Sequence, residues 1–230
     1  MENLKALTEA VCCVAREAGH FLKEERKSFR REVVQEKHAH DYVSYVDKAS
    51  EKKVVSALRK LLPEAGFIAE EGSAAYSDET YCWVVDPLDG TTNYIHDNAP
   101  YCVSIALRDK QSLLLGVVYE PCRDECFYAW KGGGAYVNGE RLRVSLVSEL
   151  KDAFVVTELP YNFEQYARTG EHLIHELYGK VAGIRMNGSA ALALCYVAAG
   201  RFDAWLEAFI GKWDFSAAAL MVLEDRKSVV

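Results

Sequence analysis

Apolar residues at the start of the chain recur three and four positions apart. Leu4, Leu7, Val11, Val14, Ala18 and Phe21 fall on one stripe, which predicts an amphipathic helix from residue 2 to about 26. The stretch 28–47 is polar and irregular at first, then extended through Tyr42–Val46. A second helix is predicted from near Asp47, with Asp47 and Ser50 as caps, Val54, Val55, Leu58 and Leu61 turned inward, and Pro63 as its stop. The period then becomes strand-like. Phe67-Ile68-Ala69 and Cys82-Trp83-Val84-Val85 are short runs of strand formers, and further runs follow at 102–107, 113–119, 125–130 and 134–137. Asn138-Gly139, between Ala135-Tyr136-Val137 and Leu142-Arg143-Val144, is a hairpin signal because both turn residues tolerate positive φ. The intervening segments are too short for crossover helices, so this sheet is largely antiparallel.

After Ala153–Thr157 helix and strand alternate. Residues 163–178 and 189–199 read as helical, 183–186 and 203–206 as extended, and a last helix runs from about Asp214 to Leu223. The expected class is α/β, a layered α+β arrangement with a largely antiparallel first sheet and a mixed second sheet. The natural division is 1–150, helices plus the antiparallel sheet, and 151–230, an α/β part that completes it. At 230 residues, half of them apolar and about a quarter charged, the chain can bury a substantial core unaided.

Charge and cysteine usage narrow the partners. A formal charge of −7 speaks against nucleic acid as an electrostatic partner. It leaves room for a phosphorylated small molecule, because a metal supplies positive charge locally. No apolar run approaches the ~20 residues that span a bilayer. The first twenty residues interleave charge with apolar positions, unlike a signal peptide, so no membrane and a cytoplasmic location are expected. The seven cysteines are irregularly spaced; Cys122 and Cys126 have no partner pair for a zinc site, and the set reads as small buried hydrophobes.

Three acidic groups stand where a strand or loop gives way. Glu70-Glu71 follows Phe67-Ile68-Ala69, Asp86 and Asp89 follow Cys82–Val85, and Asp214 opens the last helix. In Asp86-Pro87-Leu88-Asp89-Gly90-Thr91-Thr92 the proline forces a turn, Asp89 returns to the side of Asp86, and Gly90 permits close backbone approach. The hydroxyls and amides that follow suit an oxyanion. Two carboxylates, a turn carbonyl and hydroxyls are hard oxygen ligands that fit Mg²⁺ better than zinc. Each group alone has an ordinary reading: a surface turn, a solvated acidic pair, a helix cap. Together they are costly to bury without a cation.

These residues resemble the inositol monophosphatase family. The family's Trp-x-x-Asp-Pro-[Leu/Ile]-Asp-Gly-Thr-x-Asn segment is complete as Trp83-Val84-Val85-Asp86-Pro87-Leu88-Asp89-Gly90-Thr91-Thr92-Asn93. Its Trp-Asp-x-x-Ala reads Trp213-Asp214-Phe215-Ser216-Ala217, its Glu-Glu is Glu70-Glu71, and its Asp-x-Val-Thr-x-x-Asp is similar to Asp41–Asp47, with Ser44 in the threonine position. The resemblance covers nearly the whole chain and implies an alternating α-β-α-β-α sandwich with two or three Mg²⁺ ions. By position, Glu70, Asp86 and the Leu88 carbonyl would hold the first ion, and Asp86, Asp89 and Asp214 the second. Glu70 would also face a third, with Asp47 nearby. Thr91, hydrogen-bonded toward Asp47, would orient the attacking water with Glu70. The Gly90 and Thr91 amides would receive phosphate oxygens, with Thr92 beside them. Gly188-Ser189-Ala190 matches the stretch that meets the substrate's hydroxyls, together with Asp89 and Asp214, and Glu207 matches the acid that binds inositol hydroxyls.

The implied activity is Mg²⁺-dependent hydrolysis of a phosphate monoester, most directly inositol monophosphate, by a commonly homodimeric, lithium-sensitive enzyme. Such an ester resists anionic attack, and metals neutralise it, acidify water and stabilise the departing alkoxide. Alternatives are fructose 1,6-bisphosphate or 3′-phosphoadenosine 5′-phosphate as substrate on the same fold, or a non-catalytic metal- or phosphate-binding regulator. Family members continue past the Trp-Asp helix, so an early end or an omitted segment is expected here. Lys131-Gly132-Gly133-Gly134 lacks the ending of a phosphate loop and reads as a turn. Among the remaining features, His38 and His40 read as solvated loop residues, Lys37 as a candidate near the third ion, and His172 and His175 as helix surface.

Overall fold

Alternation along each strand and the stripes along each helix decide which faces are covered. The computed structural model describes residues 3–30, 32, 34–38, 41–159 and 163–225. Its first helix, α1 (Leu4–Arg26), is capped by Asn3, whose Oδ1 accepts the Ala6 amide at 3.0 Å. An antiparallel ribbon of β1 (Gln35–His38) and β2 (Asp41–Val43) leads to α2 (Tyr45–Leu61). That helix starts two residues before the expected Asp47, because its cap is Ser44. Ser44 Oγ accepts the Val46 amide at 3.1 Å, and Asp47, inside the first turn, accepts the Ser44 amide at 2.8 Å. This is a capping box with aspartate in the acidic position.

Seven strands follow: β3 (Gly66–Ala69), β4 (Cys82–Asp89), β5 (Cys102–Arg108), β6 (Leu113–Glu120), β7 (Glu125–Trp130), β8 (Gly134–Val137) and β9 (Glu140–Arg141). They pair in chain order, β3 parallel to β4 and every later pair antiparallel. A short helix, α3 (Thr91–Ile95), interrupts the run after β4. The β8–β9 turn has Asn138 at φ 48° and Gly139 at φ 90°, as its sequence implies. The Gly132 and Gly134 amides do not face a phosphate; they donate to the Glu224 carboxylate at 2.8 and 2.9 Å.

The rest of the chain is β10 (Phe154–Thr157), α4 (Phe163–Leu177), β11 (Gly183–Arg185), α5 (Ala190–Ala198), β12 (Ala204–Leu206) and α6 (Lys212–Glu224). Strand order in this second sheet is β11-β10-β12, and both pairings are parallel. The mixing of directions expected there sits instead at β3 of the first sheet. The reason is connection length: α4 and α5 each return the chain to the same end of the small sheet before the next strand begins.

Trp83, Val85, Ile105 and Val117 point to the face covered by α1 and α2, while Val84, Ala106 and Val118 point to the face covered by α5 and α6. Helix α5 is apolar all round and buried at every residue, as expected for a helix between two sheets. Right-handed crossovers in opposite directions put α4 and α5 on opposite faces of the second sheet. The layers therefore run α-β-α-β-α. Four cysteines (Cys82, Cys102, Cys126, Cys195) are buried, Cys12 is half-buried, and Cys13 and Cys122 are exposed. No helix among the described residues is long and apolar enough to cross a membrane.

Helix α6 lies directly on β6, where a Cβ on Gly116 would fall 2.2 Å from the Ala217 carbonyl oxygen. Gly116→Ala must push that helix off the sheet. It should lower stability by about 1–3 kcal/mol, seen as an earlier urea midpoint; an unchanged midpoint would mean the contact is looser than this.

Candidate metal centre

The parallel ladder between β3 and β4 pairs Ala69 with Val85. The next residues, Glu70 and Asp86, therefore lie side by side, and the Glu70 amide donates to the Val85 carbonyl at 3.2 Å. On its other edge β4 pairs Asp86 with Ser104 but Asp89 with Cys102, so it carries one residue more than β5. In a regular strand, residues three apart face opposite sides. The extra residue returns Asp89 to the side of Asp86. Pro87 was expected to force a turn; β4 instead continues through a bulge at Pro87-Leu88, where a residue without an N–H is tolerated. The Leu88 amide folds back to donate to Asp86 Oδ1 at 2.9 Å.

Asp214 arrives from the covering layer. Ser104 Oγ donates to the Trp213 carbonyl at 3.2 Å, tying the start of α6 to β5. Asp214 Oδ2 accepts the Gly211 amide at 2.6 Å, which sets the carboxylate in the first helical turn. Asp86, Asp89 and Asp214 each offer an oxygen within 4.8 Å of the others.

These carboxyls disturb one another. Burial pushes Asp86 far above the usual carboxylate range, and the charges of Glu70, Asp89 and Asp214 push it further. Asp214 rises to about 7 through burial and the charge of Asp89. Asp86 hydrogen-bonds to Glu70 and to Asp214, contacts that carboxyl groups make only by sharing a proton. Burial also raises Asp89, opposed by its donors. Ser189 Oγ at 2.5 Å, the Ala191 amide at 2.9 Å and Cys102 Sγ at 3.6 Å all converge on Asp89 Oδ2. The donor set is all oxygen, a group of carboxyls held close together, which fits a hard divalent ion. Glu70 adjoins the trio through Asp86.

The remaining expected residues gather around this centre. Thr91 Oγ1 lies 3.1 Å from Asp47 Oδ1 and 2.9 Å from the Leu88 carbonyl. Asp47 is buried, which raises it, while Ser44 donors hold it down. Gly90 has φ 90°, and a Cβ there would meet the Pro100 carbonyl oxygen at 3.0 Å and that of Gly188 at 3.1 Å, so only glycine fits. Thr92 is half-buried in the first turn of α3. Ser189 caps α5 and Ala190 opens it. Glu207 follows β12, pushed up to about 9 by burial and by Glu158, Asp89 and Asp214. His172 and His175 are exposed on α4, while His40 and the side chains of Lys37 and His38 lie outside the described residues. A groove of about 550 Å³ along α4, lined by Leu159, Tyr166, Ile174 and Tyr178 among others, holds none of the motif carboxylates. Chemistry, not room, locates the site.

Two carboxylates escaped the sequence reading. Glu51 is fully buried, and its oxygens accept the Glu71 and Ser73 amides at 2.7 Å each, which fixes the loop that carries Glu70. A signal existed: Glu51 falls on the buried stripe of α2 with Asp47, Val54, Val55 and Leu58. Glu158 accepts the Asn187 and Gly188 amides at 2.6 and 2.9 Å. No periodicity marks it.

The model of the inositol monophosphatase family matches residues 3–225 of the chain. The Nus factor SuhB of Escherichia coli (strain K12) is 40% identical over 211 residues, 91% of this chain and 79% of that protein. The fructose-1,6-bisphosphatase/inositol-1-monophosphatase of Aquifex aeolicus (strain VF5) is 36% identical over 224 residues, 97% of this chain and 85% of that one. Among solved structures, the extragenic suppressor protein suhB from Bartonella henselae matches with a TM-score of 0.89 at 37% identity, over 96% of this chain and 85% of that chain.

Asp214 titrates near 7 in the folded, metal-free protein against an ordinary 3.8. A raised carboxyl binds its proton more tightly in the folded state, so its stabilisation is complete below 3.8 and lost as pH rises through about 7. Chelated protein should thus melt lower at pH 8 than at pH 5, and a divalent cation should raise the midpoint more at pH 8. Equal midpoints in chelator would contradict the shared-proton arrangement. Glu51→Ala, which touches no expected ligand, should weaken divalent-cation binding by about 10-fold through the loosened Glu70 loop, read by calorimetric titration.

Proposed function

This chain belongs to the inositol monophosphatase family, and from that premise we propose that it is a Mg²⁺-dependent phosphoric monoester hydrolase acting on an inositol monophosphate or a related sugar phosphate. The observation that carries the reading is convergence. Glu70, Asp86, Asp89 and Asp214, from three separate stretches of chain, meet beside a threonine hydroxyl that itself contacts a buried aspartate.

In this reading Glu70, Asp86 and the Leu88 carbonyl hold one ion, Asp86, Asp89 and Asp214 a second, and Glu70 faces a third. When bound, Mg²⁺ neutralises the phosphate and makes water at the site more acidic. The chain's own residues do the rest. Asp47 anchors the Thr91 hydroxyl, and Thr91 with Glu70 orients the attacking water. The Gly90 and Thr91 amides receive phosphate oxygens, with Thr92 flanking them. Asp89, Asp214, Glu207 and the stretch Gly188-Ser189-Ala190 meet the hydroxyls of the alcohol. In the proposed division of labour, residues 1–150 supply most ion ligands, and 151–230 complete the second ion site and the alcohol side. The family resemblance further implies a cytoplasmic homodimer.

Substrate breadth is a live question, since the Aquifex aeolicus relative bears both fructose-1,6-bisphosphatase and inositol-1-monophosphatase in its name. A second reading, a regulator without turnover, is favoured by the Nus factor name of the Escherichia coli relative. The retained carboxylates favour catalysis.

Phosphate release from inositol 1-phosphate, fructose 1,6-bisphosphate and 3′-phosphoadenosine 5′-phosphate, with and without Mg²⁺, ranks the substrates. Inositol 1-phosphate should lead, and no turnover of any of them with Mg²⁺ still bound would favour the regulator. Asp86→Asn should cut kcat by about two orders of magnitude or more. The same change removes a repelled, buried carboxylate, so the metal-free variant should melt higher than wild type at pH 8. An Asp86→Asn protein with normal activity would sink the ligand assignment.

A further inference from the structure

Strands β10 and β12 pair in parallel register up to Thr157 and Leu206, and Thr157 Oγ1 donates to the Leu206 carbonyl at 2.8 Å. The next residue on each is a glutamate. Glu158 and Glu207 therefore stand side by side at the carboxyl end of a parallel sheet, the end at which such sheets receive ligands. After burial, the charge of Glu158 is the main influence raising Glu207. The two are not equivalent. Glu158 Oε1 grips the Asn187 and Gly188 amides, whereas Glu207 has the Trp205 indole beside it and makes no well-formed hydrogen bond through its buried Oε2.

The grip matters because of what residues 187–191 join. Asn93 Nδ2 donates to the Asn187 carbonyl at 2.8 Å and to the Pro100 carbonyl at 2.7 Å, linking this segment to α3. Ser189 Oγ and the Ala191 amide donate to Asp89 Oδ2. Between these anchors, the Gly188 carbonyl lies against Gly90. The segment is strung from Glu158 at one end to the motif carboxylate Asp89 at the other. Two amides on one carboxylate oxygen are charge-assisted bonds, stronger than neutral ones.

We propose that Glu158 is a positioning residue whose loss is felt in substrate specificity: it seats residues 187–190, the stretch that meets the alcohol, between Gly90 and Asp89. The proposal rests on the phosphomonoesterase reading. Its logic is satisfaction of buried acceptors. Glu207 Oε2 lacks a well-formed hydrogen bond, and a buried acceptor without one is costly. A polyol can donate O–H groups to the alcohol side of the site; an aryl leaving group supplies none. Glu158 acts through the Asn187 and Gly188 amides, so its loss falls first on the stretch that meets the alcohol and reaches Asp89 only through Ser189 and Ala191.

The test compares wild type, Glu158→Ala and Glu158→Gln on inositol 1-phosphate and on 4-nitrophenyl phosphate with Mg²⁺, together with amide hydrogen exchange at Asn187 and Gly188. Glu158→Ala should raise KM for inositol 1-phosphate by about 10-fold or more. Its loss of kcat/KM on 4-nitrophenyl phosphate, whose leaving group carries no hydroxyls, should be several-fold smaller than its loss on inositol 1-phosphate. Exchange at both amides should quicken. Glutamine keeps an acceptor oxygen, so Glu158→Gln should hold exchange slow and return KM most of the way. An unchanged KM in Glu158→Ala, or an equal loss on both substrates, overturns the proposal. Wild type inactive on both substrates would instead overturn the phosphomonoesterase reading. In that event, unchanged exchange at Asn187 and Gly188 in Glu158→Ala overturns the positioning role independently.

Discussion

Asp86, Asp89 and Asp214 hold oxygens within 4.8 Å of one another where the seven-stranded sheet is covered by helices. Burial pushes all three upward from the usual carboxylate range, and neighbouring negative charge adds to this at Asp86 and Asp214. As free anions they would drive the layers apart. They stay together because each is partly satisfied: Asp86 by the Leu88 amide, Asp89 by two protein donors and a thiol, Asp214 by the Gly211 amide. Shared protons, or a cation in their place, complete the balance. Much of the surrounding architecture serves to hold this repulsive group in register.

The holding comes from both faces of the sheet. The first turns of α2 bring Asp47, Ser50 and Glu51 to the end of β4, where they meet Thr91, the Pro87 carbonyl and the amides of Glu71 and Ser73. From the opposite face α6 delivers Asp214, at a depth set by its contact with Gly116 and by Ser104 on the Trp213 carbonyl. The bulge at Pro87-Leu88 makes the arrangement possible, since without it Asp86 and Asp89 would face opposite layers. Charge thus gathers at the ends of β3 and β4 and in the first turns of α2 and α6, while the core on either side is apolar.

In the proposed reading the phosphate end and the alcohol end are built by different sheets: the first by the seven-stranded sheet and α3, the second at the carboxyl end of β10 and β12. Asp89 joins them, with one carboxylate facing the trio and tied to Ser189 and Ala191.

Much was legible in the sequence because it is a property of the local chain. The stripe from Leu4 to Phe21, the alternation in Cys82–Val85, the Asn138-Gly139 turn and the acidic groups after successive strands are all set by residues close in sequence. Their chemistry, hard anionic oxygens with nearby hydroxyls, needed no coordinates. The start of α2 at Tyr45 was less legible, since Asp47 and Ser50 are the expected caps and only the folded hydrogen bonds select Ser44. Tertiary structure alone decided the bulge in β4, because an extra residue exists only relative to the register of β5. It alone decided that Glu51 holds the Glu70 loop and that Glu158 holds Gly188, each bond joining groups at least 20 residues apart. Periodicity reports which face of an element is buried; which amide a buried carboxylate meets depends on how distant elements pack.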